Sequence, residues 1–163
     1  MQDILEKVKQ KGQKMVNNIT ISKANILDLE KLDKLENKLE HRILSRSNLE
    51  QNINDKNTYV LIAKIENEII AYTSFSHLVD HIDIDSIVVD DNFRHQGIAS
   101  SLLQEIFKFS SNLNIYEIFL EVRASNIAAI NLYEKHGFKN IHVRKNYYPD
   151  NLEDAIICKK ELA

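Results

Sequence analysis

The sequence predicts a mixed α/β (α+β) domain: a central sheet of about seven strands with about four helices against it. Three observations carry that expectation. Apolar residues switch repeatedly along the chain between helical spacing and the alternation of a strand. The early strand-like runs follow one another through short polar connections, as antiparallel neighbours do, whereas helical stretches separate later ones, as in a βαβ unit. No repeat, low-complexity tract or linker interrupts the order, and 163 residues at 44% hydrophobic suffice for one core and are short for two.

Residues 1–18 are lysine-rich, with Ile4, Leu5, Val8, Met15 and Val16 as their apolar residues. They read as a solvated N-terminal extension, or as a short amphipathic helix, ahead of a single domain over 19–163. "ITIS" (19–22) is a short strand. Ile26, Leu29, Leu32, Leu35 and Leu39 then mark one stripe of a helix. "SNLE" (47–50) has the form of a capping box and is expected to open a second helix. "TYVLIAKI" (58–65) and "IIAYTSFSHL" (69–78) are β-rich runs joined by "ENE", a hairpin signal. In "IDIDSIVV" (82–89) Ile82 and Ile84 share a face, but Ile87, Val88 and Val89 are apolar in succession. The strand is therefore either buried on both sides or shifted in phase by a bulge.

Ile98, Leu102, Ile106 and Phe109, with Leu103 and Phe107 beside them, predict a helix after Gly97. "IYEIFLEV" (115–122) is a strand. "NIAAINLYEKHG" is a helix with Ser125 or Asn126 as N-cap and Gly137 as the residue just past its end. "FKNIHV" and "DAIICKK" complete the strands.

Charge and composition exclude several classes. A net charge of −3 supplies no basic field for nucleic acid. No stretch approaches the roughly 20 apolar residues of a membrane span, and residues 1–14 contain no apolar run of signal-peptide length. The lone cysteine, Cys158, allows no internal disulfide, fits a reducing compartment and reads as a small buried hydrophobe; the expected location is cytoplasmic. His41, His77, His81, His136 and His142 lack metal spacing and read as surface or polar-core residues; no metal is expected. Nothing in the residues indicates an oligomeric state.

Chemistry is concentrated around "RHQGIASSLL" (94–103). Only three glycines occur in the chain, and Gly97 stands between a strand and a helix. The first N–H groups of a helix lack intrahelical partners, and the helix dipole adds partial positive charge, so this junction suits an anion. Glycine lets a phosphate approach the backbone, small residues follow at Ala99, Ser100 and Ser101, and Arg94 and His95 add charge. A glycine serving turn geometry alone accounts equally well for the isolated motif. The pattern is neither Walker A nor the three-glycine dinucleotide fingerprint.

"RHQGIA" is similar to the Arg/Gln-x-x-Gly-x-Gly/Ala signature of the GNAT superfamily of acetyl-CoA-dependent N-acetyltransferases. "LEVRASNIAAINLYEKHGF" (120–138) and "RKNYYPDNLEDAII" (144–157) resemble the ribosomal-protein-alanine N-acetyltransferases, the RimI type. The resemblance spans roughly 19–162 and is densest over 86–157. It implies a GNAT fold with strands splayed around acetyl-CoA as co-substrate. Main-chain donors to its phosphates would come from His95, Gln96, Gly97, Ile98, Ala99 and Ser100, with Arg94 adding charge on the approach. The backbone of Ile87, Val88 and Val89 would hold the acetyl carbonyl and pantetheine arm.

The resemblance also implies the catalytic residues. Glu121 would be general base, directly or through water; by residue pattern alone it is an exposed carboxylate in an apolar strand, and partial burial would raise its pKa. Tyr133 would protonate the departing thiolate, although a packing tyrosine is the alternative. Asn126 would contact coenzyme A, cap its helix, or do both. Tyr147 and Tyr148 would belong to a loop closing over the acceptor, or would merely cover a sheet edge.

The expected activity is acetyl transfer to a protein N-terminus, with a ribosomal protein as the acceptor the resemblance suggests. Lysine side chains, polyamines, other small amines, or a non-catalytic acetyl-CoA-binding module are the alternatives. The chain departs from the group in having Ala99 at the second glycine position and Asp91 where proline is common. It also has no tryptophan in "LEHRILSRSNLEQ" (39–51), where relatives carry an aromatic-proline-tryptophan stretch.

Overall fold

The computed structural model describes residues 18–163; the extension expected over 1–18 lies, apart from Asn18, outside the described residues. The order of elements agrees with the sequence reading. Strand β1 (Ile19–Lys23) leads through a turn of 3-10 helix (Ile26–Asp28) into α1 (Leu29–Glu36) and α2 (Arg46–Asn54). Strands β2 (Thr58–Ile65), β3 (Glu68–His77) and β4 (His81–Val89) follow, then a second 3-10 turn (Asp91–Phe93) and α3 (Ile98–Asn112). The chain ends with β5 (Glu117–Arg123), α4 (Ile127–Lys135), β6 (Lys139–Tyr148) and β7 (Glu153–Glu161). The strands make one seven-stranded sheet in the order β1-β2-β3-β4-β5-β7-β6. Neighbours are antiparallel except β4 and β5, which are parallel because α3 returns the chain to the same end.

Helices cover both faces. On one, Leu103 and Ile106 of α3 meet Phe75, Ile82, Ile118 and Leu120 of the sheet, and Leu102 meets Ala63, Ile70 and Ala71. On the other, Leu29, Leu32 and Leu35 of α1 and Leu49 of α2 meet Val60, Ile62, Tyr72 and Val88. Each such fully buried side chain contributes about 1.5–3 kcal/mol of transfer free energy.

Two helix boundaries differ from expectation. The first helical stretch begins as a 3-10 turn, because Asn25 and Asp28 form a reciprocal cap one turn before α1. The second starts earlier than "SNLE" suggested. Ser45, not Ser47, has extended backbone and accepts the N–H of Asn48, so the residues of the expected box lie within the first turns of α2.

Both sequence readings of residues 82–89 hold together. Ser86 pairs with Ser74 and Ile84 with Phe75, so Asp85 is an extra residue in β4. Before the bulge Ile82 and Ile84 face α3. After it, Ile87 and Val89 face α3 and Val88 faces α1 and α2. The phase flips within a strand covered on both sides, which is why three apolar residues stand in a row.

Candidate active site

The bulge also opens the sheet. Parallel pairing between β4 and β5 stops at Ile84–Leu120, although β4 continues to Val89 and β5 to Arg123. Beyond that point β4 stays bonded to β3, and β5 to β7, so the edges they turn toward each other are unpaired. An interior strand edge that is not paired leaves main-chain donors and acceptors available to an extended ligand. Ile87, Val88 and Val89 lie on one side of this split. Their side chains are core, and their backbone makes no pair with β5, although the Val89 carbonyl accepts Arg94 Nε at 3.4 Å.

The opening leads to the start of α3. Gly97 is the N-cap in left-handed conformation, φ +81°, with no side chain to occupy the N–H groups of the first turn. A Cβ placed there would meet nothing within 4 Å, so the space over the loop is open. His95 is also left-handed, φ 60°, and Arg94, His95 and Gly97 are exposed while Gln96, Ala99 and Ser100 are half-buried. Ile98 is buried and anchors the helix start in the core. Arg94 is not a free cation on the approach: it pairs with Asp91 at 2.7 Å. Ser100 Oγ lies 2.9 Å from His136 Nε2, and burial is the main cause holding that imidazole below its usual pKa. What this junction presents is therefore exposed backbone at a helix start rather than the free Arg94 charge that the sequence suggested.

Tyr133 is placed by the end of its own helix. His136 is the C-cap and Gly137 follows at φ +84°. Phe138 N–H donates to Tyr133 C=O at 3.0 Å and Gly137 N–H to Glu134 C=O at 2.9 Å, the two bonds of a Schellman motif. The accompanying apolar contact is between the rings of Tyr133 and Phe138, 5.7 Å apart and edge-on. "YEKHGF" thus specifies both the stop and the seating of the tyrosine. Burial pushes the Tyr133 phenol far above its usual range, with Cys158 and Tyr148 adding to the effect, so it stays protonated. Its hydroxyl donates to no group among the described residues. At the other end Asn126 is the N-cap: its Oδ1 accepts Ala129 N–H at 3.1 Å, which leaves the amide NH₂ to face outward.

Glu121 is the first residue of β5 past the last parallel pair, on the face opposite the buried Ile118, Leu120 and Val122. The expected burial is met only partly. Its side chain is 32% accessible, and its Oε1 accepts from Arg144 Nη1 at 2.5 Å. The nearness of Glu121 is also the main cause raising the Tyr147 phenol. From β4, Asp83 adds a second carboxylate. Desolvation first, then the charge of Glu121, raises its pKa, while His81 at 3.5 Å opposes. Asp85 accepts from Ser74 Oγ at 3.1 Å.

Tyr147 and Tyr148 do not lie in a free loop. They end β6, where pairing with β7 jumps from Arg144–Ala155 to Tyr148–Glu153 and Asn146 turns left-handed. Their rings stand edge-to-face at 5.2 Å, Tyr147 exposed and Tyr148 half-buried. The turn after them is held by a residue the sequence reading passed over. Arg123 makes two bonds to Asp150, at 3.1 and 3.0 Å, reaches Asn151 and Glu153 at 3.3 Å, and lies 3.9 Å over the Tyr148 ring. Asp150 in turn is 3.7 Å from His41 in the connection between α1 and α2. That connection is tied inward by Glu36, which is fully buried, takes the Tyr72 hydroxyl and accepts Ile43 N–H at 2.8 Å. The wall that lacks tryptophan is thus organised by polar bonds.

The β4–β5 split thus lies between a glycine-capped helix start and the carboxylate of Glu121, with Tyr133 buried on α4. The chain belongs to the GNAT acetyltransferase family, whose model matches residues 24–138. It is 42% identical over 82 residues to the [ribosomal protein bS18]-alanine N-acetyltransferase of Escherichia coli (strain K12), a match covering 49% of this chain and 55% of that protein. It is also 37% identical over 114 residues to an N-alpha-acetyltransferase of Sulfurisphaera tokodaii, covering 62% and 68%. The chain spans about half the length of most of the curated relatives it matches. Among solved structures, the ribosomal-protein-S18-alanine N-acetyltransferase of Escherichia coli superposes with a TM-score of 0.82 at 28% identity, over 89% of this chain and 94% of that one. No helix among the described residues is long and apolar enough to cross a membrane.

Proposed function

We propose that this protein transfers an acetyl group from acetyl-CoA directly to the α-amine at a protein N-terminus, with a ribosomal protein as the model acceptor. The observation that carries the reading is the opening between β4 and β5, which joins the Gly97 loop to Glu121. The residues fit the co-substrate. Gly97 leaves open space over unpartnered helix N–H groups for a pyrophosphate, and the free backbone edge of Ile87–Val89 suits the amide-bearing pantetheine arm. Arg94, His95, Gln96, Ile98, Ala99 and Ser100 complete the cradle, and the free amide of Asn126 adds a donor from α4.

The chemistry then divides between two side chains. The amine nitrogen forms a bond to the thioester carbon and the carbon–sulfur bond breaks. Glu121 takes the proton the nitrogen gives up, and Tyr133, kept protonated by burial, supplies a proton at the sulfur. Tyr147 and Tyr148 line the acceptor side. The likeness to alanine and N-alpha acetyltransferases supports a peptide acceptor.

The test is a pH–rate profile of wild type and Glu121→Gln on two peptides. One has a free N-terminal alanine; the other is N-terminally blocked and carries one lysine. Glutamine keeps shape and hydrogen bonding but takes no proton. The α-amine, pKa about 7.7–8.0, becomes neutral unaided as pH rises, so the variant should lose most activity near neutrality and recover part of it above. Parallel profiles would remove Glu121 as base. Preference for the blocked peptide would refute the N-terminal assignment and leave acetyl transfer standing.

A further inference from the structure

The guanidinium on Glu121 bears on which amines reach it. Arg144 sits on β6, opposite Ala155 of β7, which is itself opposite Arg123 of β5. Its side chain therefore crosses β7 diagonally to bond the carboxylate of Glu121 at 2.5 Å. The same guanidinium lies 5.5 Å over the Tyr147 ring, so it occupies the space between the proposed base and the proposed acceptor wall. The groups facing Glu121 are Arg144, Tyr147 and Tyr148 from β6 and Asp83 from β4, which His81 approaches at 3.5 Å; Arg144 is the only cation bonded to Glu121 among the described residues. Without Arg144, the carboxylate of Glu121 would have no cationic partner and would be open to any ammonium.

We propose that Arg144 is a specificity-determining residue: it holds the seat that a protonated amine would take on Glu121 and so biases the enzyme toward amines that arrive neutral. This rests on the reading of Glu121 as the base. A protonated amine must displace the guanidinium or sit beside it, like charge against like charge. A neutral amine needs only to point one N–H at the carboxylate, which has lone pairs to spare beyond the one used by Arg144. At pH 7.5 about a third of N-terminal α-amines are neutral, against roughly one lysine side chain in a thousand. Charge state, rather than shape, then separates the two acceptor classes. The Arg144 side chain is half accessible, so its removal disturbs no packed core.

The experiment compares wild type, Arg144→Gln and Arg144→Lys on the two peptides above at pH 7.5, with melting temperature and acetyl-CoA affinity measured alongside. Arg144→Gln should raise kcat/KM for the lysine peptide relative to the alanine peptide by about fivefold, the most a half-exposed ion pair commonly carries. Arg144→Lys, which keeps the positive charge, should stay within about twofold of wild type, and fold and cofactor affinity should not change. An unchanged ratio in Arg144→Gln, or an equal loss on both peptides, overturns the proposal. Glu121→Gln separates the two layers. A dead Glu121→Gln with an unchanged Arg144→Gln ratio refutes the role of Arg144 alone, whereas full activity in Glu121→Gln refutes the base and the proposal with it.

Discussion

At the scale of single residues, the site is made of side chains held by their neighbours rather than by their own position in the chain. Tyr133 is the clearest case: the Schellman cap and the Phe138 ring fix it, and burial keeps its proton on. Tyr133→Phe should leave fold and acetyl-CoA affinity intact and lower kcat by roughly 10²-fold if the phenol gives its proton to sulfur. An unchanged kcat would make it a packing residue. Glu153 is a second case. Hydrogen bonds from Ser125, then Asn151 and Arg123, hold its carboxyl at about 2, below its ordinary 4.5. A depressed carboxyl stabilises the fold above its unfolded pKa, and that stability is lost as pH falls through the folded one. Acid titration of stability should therefore steepen between about pH 4.5 and 2, and Glu153→Gln should flatten that limb. An identical acid limb in the variant would show that the Arg123 cluster contributes nothing there.

At the scale of elements, helix termini do the positioning. α3 starts on a left-handed glycine, and α4 starts on Asn126, whose side chain has two ends. The two roles of Asn126 can be separated. Asn126→Ala removes the cap and should cost about 1 kcal/mol, read as a lower melting temperature. Asn126→Asp keeps a capping oxygen and loses the outward amide; it should hold stability and weaken acetyl-CoA binding severalfold. Unaltered binding in a stable Asn126→Asp protein would leave Asn126 as a cap alone. The bulge at Asp85 acts on strands as these caps act on helices. One extra residue ends the β4–β5 pairing, and the sheet opens.

At the scale of the molecule, the proposed co-substrate site belongs to no single element: α3, β4 and α4 would each supply a part. A ligand that binds only the folded state stabilises it by mass action, so acetyl-CoA at a hundredfold its Kd should add about 2.7 kcal/mol and raise the melting temperature by roughly 5–10 °C. Gly97→Glu should fold, since nothing lies within 4 Å of the new Cβ, at a cost of about 1 kcal/mol for a side chain at φ +81°. It should abolish the shift by placing bulk and negative charge over the helix start. A normal shift in the folded variant would move the pyrophosphate elsewhere.

By itself the sequence determined what depends on residues close together in the chain. Periodicity assigned the order of helices and strands, "YEKHGF" encoded the stop that seats Tyr133, and the lone Gly97 marked the strand-to-helix junction. Local bonds and spacing decide all of these, so they are legible from one chain. Where Ser45 rather than Ser47 caps α2, the local signal was ambiguous, and packing of Leu49 against β2 and β3 chose between two serines. What only the tertiary structure decided is what distant segments do to one another. A bulge was one of the two readings the residues left open over 82–89, and its place at Asp85 depends on register with β3. Arg144 meets Glu121 from 23 residues away, Arg123 clamps a turn 27 residues on, and His41 closes on Asp150 from the other half of the chain. No periodicity links such residues, because their meeting is set by sheet order and strand register, which emerge only when both faces of the sheet are buried at once.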